Sequence, residues 1–164
     1  MTEQGLYYAK PAFFQLIRDL GGQWNDHKHR PLVCLVRSTE NPDLYWAIPM
    51  GKLDHRTDEQ RERLKRYLSY PTSDLRSCYY HIGRTTARSI FFITDAVPIT
   101  DKYIDTPHLG INKKPYLIKN PNLVRDLNYK LLRILHFENQ SRNYFRQHIS
   151  DIKDYLLNEL ANSK

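Results

Sequence analysis

The sequence predicts an α+β fold, in which a small antiparallel β-sheet or β-barrel packs against helices. Short apolar runs bounded by turn residues fill the first two thirds of the chain, and two long segments with helical spacing of apolar residues end it. A basic segment that begins like a helix interrupts the strands. Strands first and long helices last is an order typical of α+β domains. With no internal repeat or linker, residues 1–164 are expected to form a single domain.

The N-terminal part predicts a strand, a helix and a hairpin. Residues 6–8 form the first short strand, and Pro11 opens an amphipathic helix that Gly21-Gly22 ends. Residues 31–37 (PLVCLVR) and 44–50 (LYWAIPM) are apolar runs on either side of a turn signature. They are therefore expected to pair as a β-hairpin.

The middle of the chain predicts an inserted helix and further strands. Thr57, with Gln60 three residues on, has the pattern of a capping box, and the helix should continue to about Tyr67. Its apolar stripe is thin, so we expect light packing and a positive outer face. Residues 89–95 (SIFFITD) are the clearest strand, and residues 96–104 predict a bend and another strand or turn.

Two helices are predicted after a loop-like segment at 106–119. Asn120-Pro121 places proline at the first helical position of one. The other carries its apolar face from Phe145 to Leu160.

The charge of the chain favours a polyanionic partner. Its 25 Lys and Arg against 18 Asp and Glu give a formal charge of +7. Twelve Tyr and seven His accompany them, and aromatic rings stack on unpaired bases while arginine pairs with phosphates. The mixture indicates single-stranded RNA or DNA.

The two cysteines indicate neither a disulfide scaffold nor a zinc finger, and Cys34 is expected to be a core thiol. No signal peptide and no run long enough to span a bilayer is evident, so a cytoplasmic protein without a membrane partner is expected.

Familiar catalytic signatures are missing from the sequence. There is no phosphate-binding Gly-rich loop, nucleophile elbow or paired metal-binding histidine motif, and the acidic residues do not cluster as a two-metal nuclease needs. We therefore expect neither a metal nor a cofactor.

Basic and hydroxyl residues are instead grouped at two strand ends. One group follows residues 44–50, and the other precedes residues 89–95. If the two strands are neighbours, both groups converge at one rim of the sheet, with the basic helix beside them. The stretch from Lys52 to Arg88 has nine Lys and Arg against five Asp and Glu.

These residue types suit RNA cleavage without a metal. The 2′-hydroxyl of RNA attacks the adjacent phosphate, so a protein must deprotonate that hydroxyl, stabilise negative charge and protonate the leaving oxygen. Histidine serves the proton transfers, and Arg, Lys and hydroxyls stabilise the charge. The catalytic candidates are Lys52, His55, His81, Arg84 and Thr85.

His81 is the first choice for acid or base because it precedes a strand that fixes its position. Lys52 and Arg84, each beside a glycine, are expected to hold the phosphate. The candidates for RNA binding are Arg56, Arg61, Arg63, Lys65, Arg66, Thr86 and Arg88. The remaining histidines are expected to be solvated on polar segments: His27, His29, His108, His136 and His148.

The order of elements resembles the toxins of type III toxin–antitoxin systems, the ToxN/AbiQ group and its TenpN/CptN-like branches. The motifs that carry the resemblance are PLVCLV, YWAIPMGKLDHR, FFITDAVPITDKYI and PNLVRDLNYKLLRILHF, and they extend over nearly the whole chain. The resemblance implies a compact β-barrel of the MazF/PemK (CcdB-like) type extended by helices. It also implies a metal-independent endoribonuclease inhibited by a repeated small RNA, with which the toxin assembles into closed rings.

The resemblance also bears on the site. In the family the loop after the AIPM-like strand carries a catalytic Thr or Ser and a nearby Lys, where this chain has Gly51-Lys52. The hydroxyl is missing, and Thr85, Thr86 or Ser89 could replace it in space. A basic residue is expected just before PLVCLV, and Arg30 or Lys28 fits.

Two alternatives stay open. The chain could be a non-catalytic RNA- or DNA-binding regulatory module, or a type II toxin neutralised by a protein antitoxin.

Overall fold

A computed structural model describes residues 1–24 and 30–163, apart from the side chains of residues 34 and 35. The predictions for Lys28, His27 and His29, and for Cys34 as a core thiol, lie outside the described residues and side chains.

The described strands form an antiparallel sheet, as the sequence predicts. Its order is β4-β5-β3-β2-β1-β7, and β6 also pairs with β3. This pairing does not close the sheet, so the β-barrel stays a prediction. The strands are β1 (Gly5–Ala9), β2 (Leu32–Arg37), β3 (Leu44–Lys52), β4 (Tyr80–Arg84), β5 (Arg88–Phe92), β6 (Val97–Thr100) and β7 (Ile104–Pro107).

Four helices accompany the sheet in the described part of the chain. They are α1 (Pro11–Asp19), α2 (Asp58–Leu68), α3 (Pro121–Gln140) and α4 (Ile149–Asn162). The predicted capping box of α2 is confirmed: Gln60 N donates to Thr57 Oγ1 at 3.2 Å, and Thr57 N donates to Gln60 Oε1 at 3.0 Å. No described helix is long and apolar enough to cross a membrane.

The last helix begins later than the sequence predicts. Phe145 is buried but lies before α4, because His148 has a left-handed backbone with φ of 60° at the helix start. A left-handed residue cannot continue a right-handed helix.

The core lies on both faces of the sheet. Leu127 and Leu131 of α3 pack with Phe91 and Ile48 in one buried cluster. Phe13 of α1 and Ile152 of α4 belong to a second cluster with Leu44 and Val97. Leu64, the one fully buried residue of α2, packs with Leu53 and Ile90. The thin stripe of this helix therefore gives the light packing that the sequence predicts.

Strand pairing brings the two predicted groups of polar residues together. The hairpin of β2 and β3 is confirmed, and Lys52 at the end of β3 lies opposite Ser89 of β5. β4 was not predicted, because residues 80–84 carry polar side chains and a glycine. It pairs with β5 from Tyr80 opposite Phe92 to Arg84 opposite Arg88.

Candidate functional site

A cavity of about 340 Å³ opens at the end of β3, where the β4–β5 turn and the N-terminal strand meet. We call it the His108 cavity. Its polar lining comes from five separate segments of the chain, so only the folded molecule assembles it. These polar lining residues are Tyr8, Arg30, Lys52, His55, Arg56, Thr85, Thr86, Ser89 and His108.

His108 is held in the cavity by backbone and side-chain bonds. It follows β7, and its amide donates to the carbonyl of Leu6 at 2.8 Å while its carbonyl accepts from Tyr116 N at 2.9 Å. Its Nδ1 lies 2.9 Å from the hydroxyl of Tyr8, and the two rings meet edge to face. The expectation that His108 is merely solvated is therefore wrong, since strand pairing between β1 and β7 half-buries it.

The environment of His108 favours the neutral imidazole. Burial lowers the pKa of His108 below its usual 6.5, and the nearby ammonium of Lys52 lowers it further. Burial also raises the pKa of the Tyr8 phenol. At neutral pH the pair is therefore an uncharged imidazole hydrogen-bonded to an uncharged phenol. A neutral imidazole can accept a proton, which a general base must do.

A pair of hydroxyls faces the end of β3 from the β4–β5 turn. Thr85 Oγ1 lies 2.9 Å from Ser89 Oγ, and Ser89 Oγ donates to the carbonyl of Ala87 at 3.1 Å. Because Ser89 uses its proton there, Thr85 is the donor within the pair. These hydroxyls line the same cavity as Lys52, although position 51 carries a glycine instead of a hydroxyl side chain.

Two arginines line the inner side of the cavity. The guanidinium carbon of Arg30 lies 4.4 Å from the ring centre of Phe92, and that of Arg56 lies 5.5 Å from the same ring. Burial lowers the pKa of both, and that of Arg30 falls further because of the charge of Arg56. Arginine remains protonated in proteins, so the pair is a partly desolvated double positive charge. Such a pair attracts a phosphate.

Gly51 makes room for this arrangement. A Cβ atom at Gly51 would lie 3.1 Å from an Arg56 guanidinium nitrogen. The absence of a side chain at this position of β3 thus lets Arg56 pack close to the strand.

His81 and Arg84 do not line the His108 cavity. The ring centre of His81 lies 6.5 Å from that of Phe91. Burial lowers the pKa of His81 to about 4, and the ammonium of Lys130 on α3 adds to this. Arg84 is exposed beyond the turn. The predicted single cluster of five residues is therefore divided, with Lys52, His55 and Thr85 in the cavity and the other two outside it.

Gly83 has a packing role. A Cβ atom there would lie 2.5 Å from Leu123 Cδ1 of α3. The glycine thus leaves room for helix α3 to pack against β4.

The basic residues of α2 differ in their surroundings. Arg63 lines a second cavity, which shares Arg30 and Arg56 with the first. The guanidinium group of Arg61 donates hydrogen bonds to the backbone carbonyls of Arg56 and Asp54, at 3.3 and 3.5 Å. Lys65 pairs with Glu62 at 3.0 Å. Arg66 and Arg88 are exposed and line neither cavity.

Among the described residues, no group of three or more His, Cys, Asp or Glu is placed to hold a metal ion.

No family model matches the chain, and no curated protein matches its sequence. Comparison with solved structures shows that the chain has the fold of a type III toxin. One matching structure is that of AbiQ, described as a lactococcal anti-phage endoribonuclease belonging to the type III toxin–antitoxin system. The alignment covers 99% of this chain and 100% of AbiQ, with a TM-score of 0.63 and 13% sequence identity. The resemblance seen in the sequence is thereby confirmed for the fold.

Proposed function

We propose that this protein is an endoribonuclease toxin that cleaves single-stranded RNA without a metal ion. The observation that carries the proposal is the content of the His108 cavity. It combines a histidine held neutral, a lysine, a donor hydroxyl and two partly desolvated arginines in about 340 Å³. These groups suit each of the three tasks of RNA transesterification.

In the proposed reaction, His108 is the general base. If its Nδ1 donates to Tyr8, its Nε2 is free to take the proton of the 2′-hydroxyl. The 2′-oxygen forms a bond to phosphorus as the bond to the 5′-oxygen breaks. His55, on the exposed turn after β3, donates a proton to that leaving oxygen. The products are a 2′,3′-cyclic phosphate and a 5′-hydroxyl.

The remaining cavity residues stabilise the charge on phosphorus. Lys52 and Arg30 face the non-bridging oxygens, and Arg56 adds a second guanidinium. In the complex with RNA, the Thr85 hydroxyl donates its hydrogen bond to a phosphate oxygen instead of to Ser89. Thr85 would thereby supply, from a neighbouring strand pair, the hydroxyl that Gly51 lacks.

The fold match extends the proposal to the biological setting. AbiQ is described as an anti-phage member of a type III system. We infer that this chain is likewise a toxin of a type III system used in phage defence. We further propose that residues 1–164 act as a single domain in the cytoplasm, where a repeated RNA antitoxin inhibits the toxin in a closed ring.

Purified protein incubated with end-labelled single-stranded RNA tests the reaction. We expect cleavage to persist in EDTA and to leave 2′,3′-cyclic phosphate ends. Such ends are identified because the 3′ end of the fragment can be labelled only after an enzyme has removed the cyclic phosphate. Loss of cleavage in EDTA with recovery in Mg²⁺ would contradict the metal-independent mechanism. RNA binding without any cleavage would favour a non-catalytic binding module.

A further inference from the structure

A second cavity of about 620 Å³ adjoins the His108 cavity. Arg30 and Arg56 line both cavities, so the two open on either side of this arginine pair. We call the second one the aromatic cavity. None of its other lining residues has a role in the proposed reaction.

Aromatic rings form much of its wall. Five of its lining residues are aromatic: Tyr79, Tyr80, Phe92, Tyr144 and Phe145. Tyr144 is 60% exposed, yet its orientation is fixed. Its ring stands nearly perpendicular to those of Phe137 and Phe145, with centres 4.9 and 5.2 Å apart. An exposed aromatic ring held in place offers a stacking surface at low cost in side-chain entropy.

The charge of the aromatic cavity is positive. Its lining includes four arginines and one carboxylate, Asp95. The guanidinium group of Arg146 donates hydrogen bonds to both carboxylate oxygens of Asp95, at 3.1 and 2.9 Å. The other three are Arg30, Arg56 and Arg63, and none of them is hydrogen-bonded to that carboxylate. The cavity is therefore suited to an anion that also carries a flat ring.

The position of the Arg146–Asp95 pair is fixed by the core. Gln147 is fully buried, and its Nε2 donates to the carbonyls of Thr94 and Ala96 at 2.7 and 2.8 Å. These bonds hold the turn after β5 against the segment that precedes α4. The polar edge of the cavity is thus rigid, as a site that discriminates between bases requires.

We propose that the aromatic cavity binds one unpaired base of the RNA, next to the phosphate that is cleaved, and thereby sets the sequence preference. The inference rests on the proposed function. Arg30 and Arg56 contact the phosphate between the two nucleotides, while the base stacks against Tyr144. Stacking alone tolerates any base. The Arg146–Asp95 pair and Thr94 therefore supply the hydrogen bonds that favour one base over the others.

Three tyrosine variants test this site. Tyr144→Ala removes the stacking surface and Tyr144→Phe keeps it. Tyr129→Ala removes a tyrosine that is similarly exposed, at 55%, but lies on α3 outside the cavity. The substrates are an RNA with a randomised single-stranded segment, to map cleavage sites, and short RNAs that differ in one base beside the cleaved bond, to measure kcat/KM.

We expect Tyr144→Ala to lower kcat/KM on the preferred RNA by at least about fivefold, the lower end of the effect of losing one base–aromatic stack. It should also flatten the preference among the four bases. Tyr144→Phe and Tyr129→Ala should keep both the rate and the preference.

A folded Tyr144→Ala protein that cleaves with the wild-type rate and preference overturns this inference and leaves the proposed function intact. Wild-type protein that neither binds nor cleaves RNA overturns both. If Tyr129→Ala flattens the preference as strongly as Tyr144→Ala, the base is bound elsewhere and the inference also fails.

Discussion

The imidazole of His108 is hydrogen-bonded to a phenol, and both burial and a nearby ammonium group lower its pKa. The phenol of Tyr8 engages Nδ1, and the charge of Lys52 opposes protonation. His136, by contrast, is exposed on α3 and does not line the His108 cavity. Mutation of His136 therefore serves as the control for mutation of His108.

We expect His108→Ala to lower the rate of RNA cleavage by about 10²–10⁴, the usual effect of losing a general acid or base. Measured RNA affinity and the circular dichroism spectrum should stay near wild type. His136→Ala is the control and should cleave normally. A folded His108→Ala protein with the wild-type rate would move the base to another residue, with His55 the next to test.

His81 is expected to affect stability rather than catalysis. Burial lowers its pKa to about 4 in the folded protein, whereas an unfolded chain has the usual value near 6.5. Between these values the unfolded state binds more protons. The stabilising effect of neutral His81 is therefore complete above about pH 6.5 and is lost as the pH falls toward 4.

Urea unfolding of His81→Phe at pH 7 and pH 4.5 measures this effect. The wild type should lose about 1–2 kcal/mol more than the variant between the two pH values, since solvent screens a ring that is only partly buried. An equal loss in both proteins would show that His81 titrates normally.

Part of the site could be predicted from local sequence and part could not. Lys52, His55 and Thr85 lie next to apolar strands that the sequence indicates, and their proximity depended on those strands being neighbours, which the pairing of β3 with β5 shows. His108 and Tyr8 meet across 100 residues, through pairing of β1 with β7 that no local periodicity specifies. His81 was misplaced because β4 turns its side chain toward Phe91 and α3.

At the scale of elements, β4 is the part that sequence reasoning missed. Its alternation of Tyr80 and Ile82 with His81 and Gly83 is that of a strand, but the polar residues and the glycine conceal it. The glycine is explained by the approach of Leu123, which belongs to a helix 40 residues further on. Helices α1, α2 and α3 were predictable because their caps and apolar spacing are local.

Helix α2 offers a test of phosphate contact within one element. Arg63 lines the aromatic cavity, while Lys65, two residues on, pairs with Glu62 on the outer surface. We expect Arg63→Ala to weaken RNA binding and to reduce the slope of log K against log salt by about 0.7, one phosphate contact on a single strand. Lys65→Ala should leave the slope unchanged. Fluorescence anisotropy with a labelled RNA at several salt concentrations measures both.

If Lys65→Ala reduced the slope as much as Arg63→Ala, the outer face of α2 would be the RNA surface. That result would fit the prediction from sequence that Arg61, Arg63, Lys65 and Arg66 all bind RNA.

At the scale of the whole molecule, the large core clusters and the candidate site lie in different parts of the fold. Helices α1, α3 and α4 bury the faces of the sheet, whereas α2 and the ends of β3 and β5 have only a small cluster beneath them. The His108 cavity opens in this region, and the aromatic cavity lies between α2 and the segment that precedes α4. Of the nine basic residues between Lys52 and Arg88, three line these cavities: Lys52, Arg56 and Arg63.

This distribution of charge leads to a prediction about the antitoxin. An RNA antitoxin must cover the same basic region that binds the substrate, so the inhibited toxin should be a ribonucleoprotein.

We expect the protein, expressed with its own upstream DNA and purified at low salt, to elute as a discrete complex larger than one chain and to contain a short RNA. Ribonuclease treatment or high salt should release free protein that cleaves RNA, because phosphate contacts weaken as salt rises. The control is expression without the upstream DNA, which should be toxic to the cells. A complex that resists ribonuclease and contains a second small protein would show instead that the toxin is of type II.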